Sequence, residues 1–121
     1  MSKRILVVED HEDNRQILRD LLSSVGYEML EADNGEQGVA AAVAERPDLI
    51  LMDIQLPILD GYEATRRIKS DPELRGIPII VVTSYALSGD EDKARTAGCD
   101  AYVAKPYSPR KLLATIQGFL T

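Results

Sequence analysis

The chain has a single cysteine, few basic residues, and no apolar run long enough to span a bilayer. Each shortage excludes a class. Cys99 has no intramolecular partner, so an internal disulfide is ruled out and a reducing compartment fits. Lys and Arg number 14 against 20 Asp and Glu, for a net charge of -6. A nucleic-acid-binding module would normally show a basic face, so no nucleic-acid partner is expected. Membrane insertion is excluded by run length. Met1-Ser2-Lys3-Arg4 leads into a short strand-like run instead of the long apolar core of a signal peptide. No internal repeat or low-complexity linker interrupts the chain. What remains is 121 residues, 45% hydrophobic and 28% charged, the size and make-up of one globular domain in the cytoplasm.

Hydrophobic patterning divides that domain into alternating strands and helices. Ile5 to Val8 and Ile79 to Thr83 are continuous apolar runs, as expected of strands buried on both faces. Leu49 to Asp53 is a third, ending abruptly on a carboxylate before Pro57. Tyr27 to Ala32 and Asp100 to Ala104 complete the strands. Asn14 to Val25 carries a helical stripe of Ile17, Leu18, Leu21, Leu22 and Val25, with Gly26 placed to end it. Asp33-Asn34-Gly35 reads as a turn before a helix from Gln37 to Ala44. Asp60-Gly61-Tyr62-Glu63 and Ser88-Gly89-Asp90-Glu91 have capping-box spacing, opening helices through Lys69 and Ala97, with Gly98 as a stop. Ser108-Pro109 opens the last helix, whose core face is Leu112, Leu113, Ile116 and Leu120. Strict alternation requires a parallel sheet covered on both sides. The expected fold is therefore α/β: a flavodoxin-like (βα)5 three-layer sandwich with strand order 2-1-3-4-5.

In such sheets ligands bind at the carboxyl ends of the strands. Glu9-Asp10, Asp53, Thr83-Ser84 and Lys105 all arrive there. A lone acidic residue after a strand is usually a solvated loop residue. Three carboxylates packed together repel, and either protonation or a hard divalent cation relieves them. Oxygen ligands favour Mg²⁺, with Mn²⁺ as an alternative, over zinc. Such a site suits a phosphoryl group. Thr83 then donates to one phosphoryl oxygen, Lys105 supplies a charge to another, and Asp53 is placed as the nucleophile.

Glu9-Asp10, the segment Met52-Asp53-Ile54-Gln55-Leu56-Pro57-Ile58-Leu59-Asp60-Gly61, Thr83-Ser84 and Lys105-Pro106 together resemble the signature of two-component response-regulator receiver domains. The resemblance covers the whole chain and suits stand-alone receivers of the CheY/DivK kind, reading closer to the DivK kind. It implies one receiver domain over residues 1–121, without an output domain. It also implies that Asp53 takes a phosphoryl group from a phosphohistidine of a sensor histidine kinase or histidine phosphotransfer protein. Asp10, Asp53 and the Gln55 backbone carbonyl would hold Mg²⁺, with Glu9 acting through water. Thr83 and Lys105 would hold the phosphoryl group, and Thr83 and Tyr102 would form the switch. Gln55 and Tyr85 occupy positions that tune phosphoryl lifetime. The bond before Pro106 is expected to be cis. A downstream protein would dock on the fourth helix, fifth strand and fifth helix, around Leu87, Tyr102 and Tyr107, with the chain a monomer or weak dimer.

Two other readings compete. A Mg²⁺-dependent phosphohydrolase of haloacid-dehalogenase type also uses a strand-end Asp nucleophile, but it needs a second Asp where this chain has Gln55. A cofactor-binding site, suggested by the fold alone, would need a phosphate-cradling first loop rich in Gly, Ser or Thr, whereas Glu9-Asp10-His11-Glu12-Asp13 is acidic. His11 reads as a partly exposed rim residue, and Cys99 as a small residue packed near the fifth strand. Tyr107 suits packing against the last helix.

Overall fold

The computed structural model describes residues 2–83 and 90–120. Ser84, Tyr85, Leu87 and the Ser88 cap, singled out in the sequence, lie outside the described residues. The elements run β1 (Arg4–Val8), α1 (Glu12–Ser23), β2 (Glu28–Ala32), α2 (Gly35–Glu45), β3 (Leu49–Asp53), α3 (Gly61–Ser70), β4 (Ile79–Thr83), α4 (Asp90–Ala97), β5 (Ala101–Ala104) and α5 (Pro109–Leu120). All four strand pairings are parallel, in the order β2-β1-β3-β4-β5. This is the expected flavodoxin-like arrangement.

Alternation along each strand feeds two cores, one on each face of the sheet. Leu6, Val8, Ile50, Met52, Ile79 and Val81 meet Ala42 of α2, Ala64 and Ile68 of α3, and Ala94 of α4. Ile5, Val7, Leu49, Leu51, Ile80 and Val82 meet Leu18 and Leu22 of α1 and Leu112 and Ile116 of α5. The central strands are buried on both sides, which explains why they read as unbroken aliphatic runs.

Several boundaries differ from the sequence reading, each for a local reason. α1 starts at Glu12, two residues before Asn14, and its N-cap His11 makes no side-chain capping bond. The acidic pair Glu12 and Asp13 in its first turn favours the positive end of the helix dipole. Asn34 caps α2 by accepting from the Gln37 N–H at 2.8 Å, so the expected turn is also a helix start. Ile17 and Val25 belong to the apolar stripe of α1 but are exposed (57% and 41%). Ile17 lies on a cleft, and Val25 lies past the end of the helix. Asp60 caps α3 through the Glu63 N–H as the spacing implied. Gly26 adopts a positive φ of 86° just beyond α1, the conformation for which glycine is suited. The Lys105–Pro106 bond is cis.

Candidate functional site

Register places the site before any side chain is considered. Val8 pairs with Met52 and Asp53 with Val82, so Glu9, Asp53 and Val82 fall on one row across β1, β3 and β4. Thr83 pairs with Ala104 on the next row, and Lys105 follows. The Lys105 N–H donates to the Thr83 carbonyl at 2.6 Å, extending that pairing past the end of β5.

Three charged side chains meet there. The Lys105 ammonium lies 3.3 Å from Glu9 Oε1 and 3.5 Å from Asp53 Oδ2. Glu9 is buried, and Asp53 keeps only 13% of its side-chain surface. The chain turns back over Asp53, so that the Gln55 N–H donates to Asp53 Oδ1 at 3.2 Å. Close approach of α3 makes this loop possible. A Cβ on Gly61 would lie 2.1 Å from the Asp53 carbonyl oxygen, so only glycine fits. In the same loop Ile58 has φ of 72°, a conformation costly for a β-branched residue, and its side chain is exposed.

Packing two carboxylates beside one ammonium sets their protonation. Burial, then the hydrogen bond and charge of Glu9, push the Asp53 carboxyl up to about 6, against the pull of Lys105 and the Gln55 N–H. Burial would raise Glu9 as well. The hydrogen bond with Asp53, the Lys105 charge and the Asn14 amide instead bring it down to about 2. The pair therefore holds its first proton on Asp53. Burial alone would depress the Lys105 ammonium, but the carboxylates of Asp53 and Glu9 raise it above its ordinary value.

Asp10 joins this group through the first loop. Carboxylate oxygens of Glu9 and Asp10 and a ring nitrogen of His11 lie within 4.8 Å of one another. His11 Nδ1 is 3.0 Å from Asp10 Oδ1, and its side chain is well exposed, as suits a residue on the rim. Glu9 and Asp10 offer carboxylate oxygens, the donor type a hard divalent cation takes; Asp53 stands beside Lys105, outside that cluster. The charge balance also suits a cation, since Lys105 alone offsets one of the three carboxylates Glu9, Asp10 and Asp53 and leaves two.

The remaining sequence candidates take supporting positions. Thr83 is buried at the end of β4. Tyr102 on β5 is half-buried and packs against the core on the α2, α3 and α4 side. Tyr107 packs against the opposite core and borders a cleft of about 540 Å³ that also touches Glu9, Asp53, Lys105 and Ile17. Cys99 is half-buried beside the first core, and burial pushes its thiol up.

Two residues escaped the sequence reading. Asn14 Nδ2 donates to Glu9 Oε1 at 2.8 Å, and Arg15 Nη1 donates to the Glu9 backbone carbonyl at 2.7 Å. Both sit in the first turn of α1, shortly after Glu9-Asp10 in the chain. That spacing is the available signal, and it becomes visible only once the helix start is placed at Glu12.

Residues 5–117 match the response regulator receiver domain. The chain belongs to the receiver-domain family. Among curated relatives it is 47% identical to the polar-differentiation response regulator DivK of Brucella anthropi, covering 99% of this chain and 98% of that one. The receiver domain of a sensor histidine kinase from Pseudomonas aeruginosa, solved with a magnesium ion coordinated in the active-site cleft, superposes with a TM-score of 0.92 at 39% identity. That match covers 99% of this chain and 98% of the other. The Mn²⁺-bound response regulator Rcp1 superposes with a TM-score of 0.82 at 28% identity, covering 96% of this chain and 90% of that one. The phosphohydrolase alternative finds no support in these likenesses. No helix among the described residues is long and apolar enough to cross a membrane.

Proposed function

We propose that this receiver accepts a phosphoryl group on Asp53 from a phosphohistidine of a sensor histidine kinase or histidine phosphotransfer protein in the cytoplasm. The observation carrying this reading is the convergence of Glu9, Asp53 and Lys105 within 3.5 Å at the carboxyl edge of the sheet. A carboxylate oxygen of Asp53 forms the new O–P bond as the donor's N–P bond breaks, and the imidazole leaves with that electron pair. Lys105 offers its ammonium to the charge that develops on the phosphoryl oxygens, and the Thr83 hydroxyl donates to another of them. Asp10, Asp53 and the Gln55 carbonyl would hold Mg²⁺, or Mn²⁺, with Glu9 acting through water. When bound, the metal neutralises the excess carboxylate charge and that of the incoming phosphoryl group.

The same site would catalyse its own dephosphorylation by water, with Gln55 and Tyr85 tuning access. Hydrogen bonds from Thr83 and Lys105 to the phosphoryl oxygens are made in one of two conformations and not the other, and so shift their populations. Tyr102, half-buried on β5, is the side chain proposed to respond. The output is docking of a downstream protein on α4, β5 and α5, with the chain monomeric or weakly dimeric.

Acetyl phosphate with MgCl₂ should add one phosphoryl group to the intact mass. Asp53→Asn should abolish the addition, and EDTA should prevent it. Full phosphorylation of the Asn variant would place the acceptor elsewhere.

A further inference from the structure

Glu9 is the one charged side chain fully buried among the described residues, at 3% exposure. Its donors are few. Oε1 accepts from Asn14 Nδ2 at 2.8 Å and from Lys105 at 3.3 Å, and Oε2 accepts from the His11 N–H at 3.4 Å. Lys105 is thus shared between Glu9 and Asp53. If Asp53 takes a phosphoryl group, Lys105 has to turn toward the new oxygens. A buried carboxylate that loses its one basic side-chain partner is destabilised unless another donor holds it. Asn14 makes the shortest of the three contacts, and it carries no charge that would compete for the phosphoryl group.

We infer that Asn14 is a positioning residue that keeps Glu9 satisfied and so frees Lys105 to move to the phosphoryl group on Asp53. The inference rests on the phosphoacceptor reading above. Its placement on a helix makes the contact rigid. Asn14 lies in the first turn of α1, and the neighbouring Arg15 pins the Glu9 carbonyl at 2.7 Å. Arg15 is itself held by Glu12 at 2.6 Å and Glu31 at 3.3 Å. With the backbone of Glu9 fixed in this way, loss of the Asn14 amide acts on the carboxylate and on Lys105, and the loop keeps its course. Without Asn14, Lys105 becomes the only side-chain N–H donor to Glu9, and each phosphoryl contact must be won against it.

Binding of beryllofluoride, a stable mimic of the phosphoryl group, separates this role from metal binding. Affinity would be measured by titration of Mg²⁺-saturated protein, and Mg²⁺ affinity by a separate titration. Asn14→Leu, similar in size but without donors, should weaken beryllofluoride roughly tenfold, the scale of one hydrogen bond to a charged group. Its Mg²⁺ affinity should stay within about threefold of wild type, because Glu9 reaches the metal only through water. Asn14→Gln, which keeps the amide, should recover most of the loss. Unchanged beryllofluoride affinity in Asn14→Leu would overturn the inference. So would an equal loss of Mg²⁺ affinity, or a Gln variant as weak as the Leu variant. Should Asn14→Leu not fold, Asn14→Ala reads the same quantities. If wild-type protein binds no beryllofluoride and takes no phosphoryl group from acetyl phosphate, the phosphoacceptor reading itself fails.

Discussion

Replacing Asp53 by asparagine should make the metal-free protein more stable at pH 8 and leave it nearly unchanged at pH 4. The folded protein holds the Asp53 proton up to a pH of about 6, against an ordinary value of 3.8. A carboxyl raised in this way contributes stability that is fully present below 3.8 and lost as pH rises through about 6. At about 1.4 kcal/mol per pH unit, the penalty at pH 8 is ~3 kcal/mol. An amide offers Glu9 the hydrogen bond that the protonated acid would offer, at any pH. Against this stands the lost ion pair with Lys105 at 3.5 Å, although Lys105 keeps Glu9 at 3.3 Å. A net gain of ~1–2 kcal/mol remains, or very roughly 3–10 °C in melting temperature for a domain of this length. Glu9 does not obscure the comparison. Held down at about 2, it contributes stability that is present above its ordinary 4.5 and lost as pH falls toward 2, so the melts at pH 6 and 8 lie outside its window. Thermal melts at pH 4, 6 and 8 in EDTA would show the variant's advantage growing across the series. An Asn variant no more stable than wild type at pH 8, or an advantage independent of pH, would refute the reasoning.

Other expectations follow from the backbone and the core. Gly61→Ala places a Cβ 2.1 Å from the Asp53 carbonyl oxygen, so urea melts should show a loss of ~2 kcal/mol or more. A loss below ~0.5 kcal/mol would mean that α3 moves away freely. Thr65 Oγ1 is buried without a hydrogen-bond partner among the described residues, and Thr65→Val should therefore gain ~1 kcal/mol. Equal or lower stability would show that the hydroxyl is satisfied. Ile58→Asn relieves a positive φ of 72° on an exposed side chain and should raise the stability in urea melts by ~1 kcal/mol. A drop would indicate that the isoleucine packs better than its exposure suggests.

Much of the fold was legible because the central strands are buried on both faces. Leu49 to Met52 and Ile79 to Val82 are aliphatic throughout, and burial on both faces is what such runs require. Parallel pairing and the strand order then followed from alternation with helices. Site residues at strand ends were readable for the same reason: once a strand was placed, its last residue was placed too. Helix boundaries were harder. α1 lacks a capping side chain at His11, so the visible start was the apolar stripe, and Asn14 and Arg15 were not seen as neighbours of Glu9. Ile17 shows the limit of periodicity. The pattern gives the direction in which a side chain points from its helix, but not whether a neighbour closes over it. Here a cleft runs past Ile17 to Pro106, Tyr107 and Pro109. Asn14's role was hidden because it depends on one distance across a loop, which no spacing rule encodes.

Lys105 and Glu9 are separated by 96 residues, yet they close a single ion pair. Glu9 follows the first strand and Asp53 ends the third, while their cation arrives with the last. A chain whose fifth strand has not docked would present carboxylates with no ammonium beside them. Competence to take a phosphoryl group would then report that the whole sheet is assembled, and a partly folded molecule would stay silent in the pathway.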